Sequence, residues 1–358
     1  MLVGDESCIP YQRPPLSKHL LLGTTCAERI SLRSLDAYEK QNIECITGDP
    51  VIRVDAAAKR LLTESGRKIA FDHCVFATGA RARTLAVAQG PGVYSIRTLE
   101  DCHSLQARLG PDFKLLVAGG GYLGLEVAAT AAKLGAQVIV LEQSPALMSG
   151  KVSSYTSSEF ESMHHEAGVT LVRDAAIVRW EPLESGWKLH LADGSLYQGD
   201  AVLVAVGALP NIELAIEAGL QCDGGIVVDD AARTSRGGIY AIGDCASSYR
   251  EELGFFARIE SVQNALEQAR TAAAAIAGKD RPARRAATFW SEQHGRRLQM
   301  AGLANPAKPC RDLVIATANG WLVERYQDGL LKIVEAVDSP LEFIKAMKRL
   351  GSVESGNT

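Results

Sequence analysis

No apolar run in this sequence approaches the ~20 residues that a membrane-spanning helix needs. The opening residues, MLVGDESCIPYQRPP, also lack the basic, apolar and small-residue regions of a signal peptide. Basic and acidic residues nearly cancel, at 38 against 42, so a net charge of -4 gives no global attraction to nucleic acid or anionic lipid. These absences predict a cytoplasmic enzyme with neither a nucleic-acid nor a membrane partner.

Metal-binding spacings are missing as well. The chain has eight cysteines, but no two of them form a CxxC or a CxxxxC, which argues against an Fe–S cluster, a structural zinc or a redox-active disulfide. His164 and His165 lie in a polar helical stretch without a third ligand, so a solvated helix face is predicted and no metal site. If electrons move in this protein, an organic cofactor carries them.

One glycine motif is placed as a dinucleotide-binding turn requires. Gly119, Gly121 and Gly124 follow the apolar strand predicted at 114–118 and precede an Ala-rich helix predicted at 125–134. The glycines permit a tight turn and the close approach of a diphosphate, whose charge then lies against the helix N-terminus. The motif therefore predicts a nucleotide site a third of the way along the chain.

Glu142 indicates which nucleotide binds there. It ends the next predicted strand, 137–141, and follows Gly124 by 18 residues, where an acidic side chain can bind both ribose hydroxyls. A carboxylate at this point would repel a 2'-phosphate, so NADH is predicted in preference to NADPH.

A second turn, Tyr240 to Ala246, carries an aspartate after an apolar strand. Asp244 can hydrogen-bond a sugar-alcohol hydroxyl while a following helix N-terminus faces a diphosphate. A Gly-Asp pair taken alone is usually only a turn, so the value of this one depends on the motifs around it.

The strand and helix patterns divide the chain into three parts. Residues 108–228 read as a compact nucleotide-binding α/β domain, and residues 1–107 and 229–285 read as one discontinuous domain that it interrupts. Residues 286–358 read as a C-terminal α+β module with a helix near 340–350, for which Ser339 is the predicted N-cap, and a disordered end from 351 to 358. The fold class is α/β.

Ten segments in collinear order resemble FAD-dependent NADH:ferredoxin reductases, which serve ring-hydroxylating dioxygenases and bacterial cytochromes P450. They cover almost the whole chain, and the segments RPPLSK, ESVQN and FWSEQ are the most specific. The ten segments are 1–6, 10–18, 76–79, 97–101, 119–126, 206–211, 225–229, 240–246, 258–264 and 289–293. The resemblance implies a glutathione-reductase-like pair of Rossmann-type domains followed by a C-terminal reductase domain.

The resemblance also implies the site residues. For FAD these are Asp5 or Glu6 at the adenosine ribose, Val51 at the adenine, Lys18 and Arg97 at the flavin or diphosphate, Asp244 at the ribityl chain and diphosphate, Val262 at the pyrimidine end of the flavin, Trp290 near its ring, and Arg13 as a further FAD-binding residue. For NAD(H) they are Gly119, Gly121, Tyr122, Gly124, Glu142 and Gly207.

Lys18 and Glu126 are the predicted catalytic pair. A lysine near the reactive edge of the flavin would stabilise the charge that builds up as hydride arrives, and a glutamate on the helix after the glycine turn could hold that lysine. The alternative is an ordinary surface lysine and an unrelated helix glutamate.

Members of the resembled family carry a strand, a first GxGxxG and a helix before the point that matches Met1, so about 30 residues of a βαβ unit are expected to be absent here. Three functions follow. The chain is a reductase that passes electrons from NADH through FAD to a [2Fe-2S] ferredoxin, a nicotinamide-binding remnant without flavin chemistry, or a reductase of rubredoxin or a small acceptor.

Several further residues have two interpretations. Basic residues between Lys279 and Arg311 could attract an acidic ferredoxin, although a solvated linker explains them equally well. Trp180, Trp187 and Trp321 are predicted to be packing residues.

Overall fold

The computed structural model describes residues 1–353. Its centre is a parallel five-stranded sheet in which Lys114–Ala118 is the middle strand. Across the sheet the strands run in the order Thr170–Val172, Gln137–Leu141, Lys114–Ala118, Ala201–Val204 and Val93–Tyr94. Leu115, Leu116 and Val117 are fully buried because both faces of the parallel sheet are covered.

Two helices cover one face of this sheet, and a small antiparallel sheet covers the other. The helices are Tyr122–Lys133 and Ser154–Glu166, and the antiparallel strands are Ile177–Pro182, Trp187–Leu191 and Leu196–Gly199. Trp187 is buried in the cluster between the two sheets, with Trp180 against it, so both are packing residues as predicted.

Among the described residues, five smaller sheets are formed by short strands from residues 1–107, 208–228 and 239–257. Leu2–Val3 pairs in parallel with Cys45–Ile46, and Cys74–Phe76 pairs in parallel with Ile239–Ala241. The remaining strands here are Val51–Asp55, Arg60–Thr63 and Lys68–Ala70 in one sheet, Ala80–Ala82 with Ala208–Pro210 in another, and Ile226–Val228, Ala246–Arg250 and Phe255–Ala257 in a third. The pairing of 74–76 with 239–241 favours one discontinuous unit.

The boundary at residue 108 stays a prediction. Val93–Tyr94 lies upstream of it and yet forms the edge strand of the central sheet, pairing with Val202 and Leu203. The central sheet therefore takes one strand from the preceding segment.

The remaining helices before the C-terminal module are mostly short. They are Pro14–Ser17 (a 3-10 turn), Ala27–Ile30, Leu35–Glu39, Leu99–Gln106, Glu213–Glu217, Gly243–Cys245 (a 3-10 turn) and Val262–Ile276. The last is the longest, and Ser261 caps it by accepting a hydrogen bond from the Asn264 N–H. No helix among residues 1–353 is long and apolar enough to cross a membrane.

The C-terminal module is an antiparallel five-stranded sheet with one helix, Pro340–Met347, packed on it. The strands lie in the order Thr288–Gln293, Arg296–Gly302, Leu330–Val337, Trp321–Gln327 and Arg311–Ala316. Trp321 is buried in the main core and is a packing residue, as predicted.

Two predictions for this module are wrong in part. Ser339 occupies the N-cap position, but its buried hydroxyl donates to the Val337 carbonyl and caps no helix N–H. Residues 351–353 are ordered, because the Gly351 N–H donates to the Leu331 carbonyl and Val353 bridges Leu330. The rest of the segment predicted to be disordered, 354–358, lies outside the described residues.

Candidate functional site

The glycine turn lies at the carboxyl edge of the central sheet, and two of its glycines have no room for a side chain. A Cβ on Gly119, whose φ is +109°, would lie 2.5 Å from the Ala205 carbonyl oxygen. A Cβ on Gly124 would lie 2.1 Å from the Gly119 carbonyl oxygen. Gly121 is open by comparison, since its Cβ would meet only the Lys151 ammonium at 3.7 Å. The backbone at Gly121 is therefore free to meet a ligand.

The helix after this turn presents its N-terminus to the same space. It starts at Tyr122, three residues before the predicted start, because the glycine turn itself leads into the first helical turn. The N–H groups of Tyr122 and Leu123 have no protein acceptor within residues 1–353. Open N–H groups at the positive end of a 12-residue helix fit a diphosphate.

Glu142 lies beside the turn, held by backbone groups. One carboxylate oxygen accepts from the Gly120 N–H at 2.6 Å and the other from the Ser144 N–H at 2.7 Å. Gly207, with φ of +109°, lies exposed in the loop after the neighbouring strand. The structure thus gathers the predicted NAD(H) residues at one sheet edge, and their donor set fits a dinucleotide.

Lys18 and Glu126 form a buried ion pair. The Lys18 Nζ lies 2.5 Å from Glu126 Oε2, and the two side chains are only 8% and 7% exposed. The predicted pairing is therefore present, and the alternative of a surface lysine is wrong. The pair joins the turn Pro14–Ser17 to the helix that follows the glycine motif.

Two serines complete this pair, and sequence reasoning missed both. Ser17 Oγ donates to Glu126 Oε2 and Ser291 Oγ donates to Oε1, each at 2.7 Å. Both serines are buried, at 2% and 0% exposure. Both serines lie in segments that are specific to the resembled family, RPPLSK and FWSEQ, and that position was the feature of the sequence that could have indicated a role for them.

Trp290 lies next to this pair with part of its indole open to solvent. Lys18 Nζ is 4.9 Å from the ring centroid and the Arg297 guanidinium is 5.7 Å from it. Trp290 is 37% exposed. A flat aromatic surface beside a buried ammonium fits a planar cofactor whose reactive edge gains negative charge.

Four of the residues predicted for FAD form one connected network. Asp244 pairs with Arg97 at 3.2 Å, the Arg97 carbonyl accepts from Arg13 at 2.5 Å, and Arg13 pairs with Glu6 at 2.5 Å. Tyr11 also donates to Glu6, and burial together with this bond raises the pKa of the tyrosine.

Asp5, Val51 and Val262 lie outside that network. Among residues 1–353 the Asp5 carboxylate accepts only from the neighbouring Glu6 N–H, and Val51 begins a strand as a half-buried residue. Val262 is 46% exposed at the first turn of helix Val262–Ile276. Its N–H has no protein acceptor within the described residues, which fits a ligand that carries negative charge at this end.

His164 was predicted to lie on a solvated helix face, and this prediction is wrong. Its side chain is fully buried, because helix Ser154–Glu166 packs on the hairpin that carries Gln293 and His294. Burial lowers the pKa of His164 to about 4. His165 is exposed, as predicted.

Several of the predicted basic residues have acidic partners. Arg281 pairs with Asp230 at 2.9 Å, Lys308 pairs with Asp328 at 2.6 Å, and Arg296 pairs with Asp338. A landing site for an acidic partner stays a prediction.

A glycine turn that fits a dinucleotide is joined through a buried lysine–glutamate pair to the aromatic surface of Trp290, an arrangement typical of a nucleotide-dependent oxidoreductase. The family model "Pyridine nucleotide-disulphide oxidoreductase" matches residues 1–269, and the model "Reductase C-terminal" matches residues 288–355. The chain belongs to the pyridine nucleotide-disulphide oxidoreductase family. Membership implies a flavin and a nicotinamide nucleotide.

Individual relatives match nearly the whole chain. Rhodocoxin reductase of Rhodococcus erythropolis is 41% identical over 98% of this chain and 83% of its own length. The ferredoxin–NAD(+) reductase subunit of a Pseudomonas putida benzene 1,2-dioxygenase system is 35% identical over 96% and 84%. The reductase in a covalent putidaredoxin reductase–putidaredoxin complex matches with a TM-score of 0.92 and 36% identity, covering 98% of this chain and 87% of its own. The predicted fold class is confirmed.

Proposed function

We propose that this chain is an NADH-dependent FAD reductase that passes electrons to a [2Fe-2S] ferredoxin. The buried Lys18–Glu126 pair carries the proposal, because it joins the helix after the glycine turn to the segment beside Trp290. Bound FAD would supply the chemistry that links the two substrates, since it takes two electrons together and gives them up singly.

The chain's own residues hold and orient the reactants. Asp244, Arg97 and the helix N-terminus at Val262 would hold FAD, with Arg13 and Glu6 or Asp5 nearer its adenosine end. The Gly119–Gly124 turn and Glu142 would hold NADH. These assignments rest on the geometry above and on the family resemblance.

Lys18 places a positive charge at the edge of this site. Its ammonium donates to Glu126 and to the Pro14 carbonyl, at 2.5 and 3.1 Å, so its position is fixed before any substrate arrives. Because the pair is shielded from water, the field of the Lys18 ammonium acts at low effective dielectric and favours negative charge building up beside it. Glu126 acts by holding Lys18 in place.

Electrons must leave the chain by an external acceptor. The eight cysteines are free thiols, so no disulfide within the chain can take them. The names of the matched relatives, which include reductases of a ferredoxin and of rhodocoxin, support a small redox protein as the acceptor.

The proposal is tested with purified chain, first by its absorption spectrum and then by anaerobic electron transfer. We expect a yellow protein whose flavin band bleaches on NADH addition and which then reduces a [2Fe-2S] ferredoxin. A colourless protein that binds NADH would support the remnant without flavin chemistry. Reduction of rubredoxin but of no ferredoxin would support the third function.

Glu142 gives a prediction about nucleotide choice. Glu142→Gln removes the charge that would oppose a 2'-phosphate, so the kcat/KM preference for NADH over NADPH should fall by about tenfold or more. Steady-state kinetics with both nucleotides measures this ratio, and Glu184→Gln, an exposed glutamate in a hairpin loop, is the matched control. An unchanged ratio would show that Glu142 does not meet the ribose.

A further inference from the structure

A chain of hydrogen bonds leads from Glu126 to the far side of the C-terminal hairpin. Ser291 Oγ contacts Glu126 Oε1 at 2.7 Å, and Gln293 Nε2 contacts Ser291 Oγ at 3.1 Å. Gln293 Oε1 lies 2.9 Å from His164 Nε2, and His164 Nδ1 lies 3.0 Å from His294 Nε2. Of these four hydrogen bonds, only the one between Ser291 and Glu126 belongs to the lysine–glutamate site.

Three of these groups are sealed from solvent, and the last is not. Ser291, Gln293 and His164 are 0%, 1% and 0% exposed, whereas His294 is half-buried at the tip of its hairpin. His294 also has a φ of +50°, the left-handed conformation that turns the chain between the two strands. The hydrogen-bond chain therefore ends at His294, a residue that can exchange protons with solvent.

The direction of every bond follows from the chemistry of the groups. An ionised carboxylate only accepts, so the Ser291 hydroxyl donates to Glu126 and must accept from the Gln293 amide NH2. The Gln293 carbonyl oxygen only accepts, so His164 carries its proton on Nε2. The neutral His164 then accepts at Nδ1 from His294. All four bonds donate toward Glu126, and bonds aligned in this way strengthen one another.

We propose that Ser291, Gln293, His164 and His294 are positioning residues for Glu126, through which the ionisation of His294 acts on the Lys18–Glu126 pair. The link to electron transfer rests on the proposed function. A proton gained by His294 at its solvent side makes it a stronger donor, and the aligned bonds carry that polarisation to the carboxylate. No group in the chain needs to give up its own proton.

The surroundings of the two histidines allow this arrangement. Burial lowers the pKa of both His164 and His294, and the charges of His294 and His165 further lower that of His164. His164 therefore stays neutral while His294 titrates below the usual histidine range. Of the other charged groups nearby, Glu161 pairs with Arg173 and Arg296 with Asp338. Glu161 and Glu292 also lie 3.9 Å from His165 and His19, contacts that are ion pairs only when these histidines are protonated.

NMR of the purified chain, labelled in the histidine rings and the Glu and Gln side chains, tests the proposal. His164 should keep the Nε2–H tautomer at neutral pH, and the Gln293 amide and Glu126 carboxyl resonances should shift as His294 titrates. His294→Gln should abolish that shift at Glu126, although the two residues do not touch. His165 is next to His164 in sequence, but it is exposed and is not part of the hydrogen-bond chain. His165→Gln should therefore leave the shift of the Glu126 resonance intact.

Two results would overturn the proposal. One is a His164 ring protonated on Nδ1, which reverses the bond to Gln293. The other is a pH-dependent shift of the Glu126 carboxyl resonance that persists unchanged in His294→Gln. The measurement needs no flavin, so a colourless protein would remove the proposed function and leave the hydrogen-bond chain to be judged by these resonances alone.

If FAD binds, its midpoint potential gives a second measurement. The pH dependence of this potential in wild type should contain an ionisation, below the usual histidine range, that His294→Gln removes and His165→Gln retains. A purely structural role for His294 would change stability without removing that ionisation. Equal pH dependence in all three proteins would contradict the proposal.

Discussion

Replacing Lys18 with methionine is expected to slow the reduction of bound FAD by NADH by roughly 100-fold, the loss typical when one preorganised charge or donor is removed from a reacting centre. Methionine keeps most of the side-chain volume beside Trp290 and removes the ammonium 2.5 Å from Glu126. Rapid mixing under anaerobic conditions, with the flavin band as the signal, measures the rate. A Lys18→Met protein reduced at the normal rate would defeat the catalytic role.

Stability must be separated from catalysis in that experiment. Lys18→Met leaves the Glu126 carboxylate buried with two serine donors and no counter-charge, which costs about 3–5 kcal/mol for a buried pair broken on one side. The double variant Lys18→Met with Glu126→Gln removes both charges, so it should regain much of the lost stability. Its flavin reduction should remain as slow as in Lys18→Met, because the missing group is the ammonium.

Gly124→Ala is expected to disrupt the nucleotide turn and to lower both stability and NADH affinity. Its Cβ would lie 2.1 Å from the Gly119 carbonyl oxygen, a distance that forces the backbone apart. We expect a KM for NADH at least about 100-fold higher, comparable to the loss of a close diphosphate fit. Steady-state kinetics and thermal unfolding measure the two effects.

Two other glycines make this result specific. The Cβ added by Gly121→Ala meets only the flexible Lys151 ammonium, so this variant should keep its stability. It should still bind NADH more weakly, because the methyl group enters the space for the diphosphate. Gly110→Ala has nothing within 4 Å and should be neutral in both measurements. Normal NADH binding by Gly121→Ala would place the diphosphate elsewhere.

Local patterns were sufficient to predict the core of the nucleotide-binding unit. Strands Lys114–Ala118 and Gln137–Leu141 lie where their apolar runs placed them, since the residues of a buried strand are themselves apolar. The helix after the glycine turn started earlier than predicted, because backbone geometry and not hydrophobic periodicity decides its first turn.

Contacts between distant segments could not be predicted in the same way. Ser17 and Ser291 meet Glu126 across 109 and 165 residues of chain, and no pattern within either segment indicates that meeting. His164 was assigned to solvent because its neighbours are polar, whereas its burial depends on a hairpin 129 residues away. The Lys18–Glu126 pair could be predicted because the family resemblance placed Lys18 at the flavin, the glycine motif placed Glu126 on the helix that follows it, and opposite charges then suggested that the two side chains pair.

The Lys18–Glu126 pair is proposed to lie where the nicotinamide meets the flavin. A crystal structure of the chain with FAD and NAD+ bound would test this placement. We expect Lys18 Nζ in contact with the flavin edge, the nicotinamide ring stacked beside it, and the NAD+ diphosphate at the Gly119–Gly124 turn. A nicotinamide bound away from Lys18, or a flavin held at a distance from Trp290 and Asp244, would contradict it.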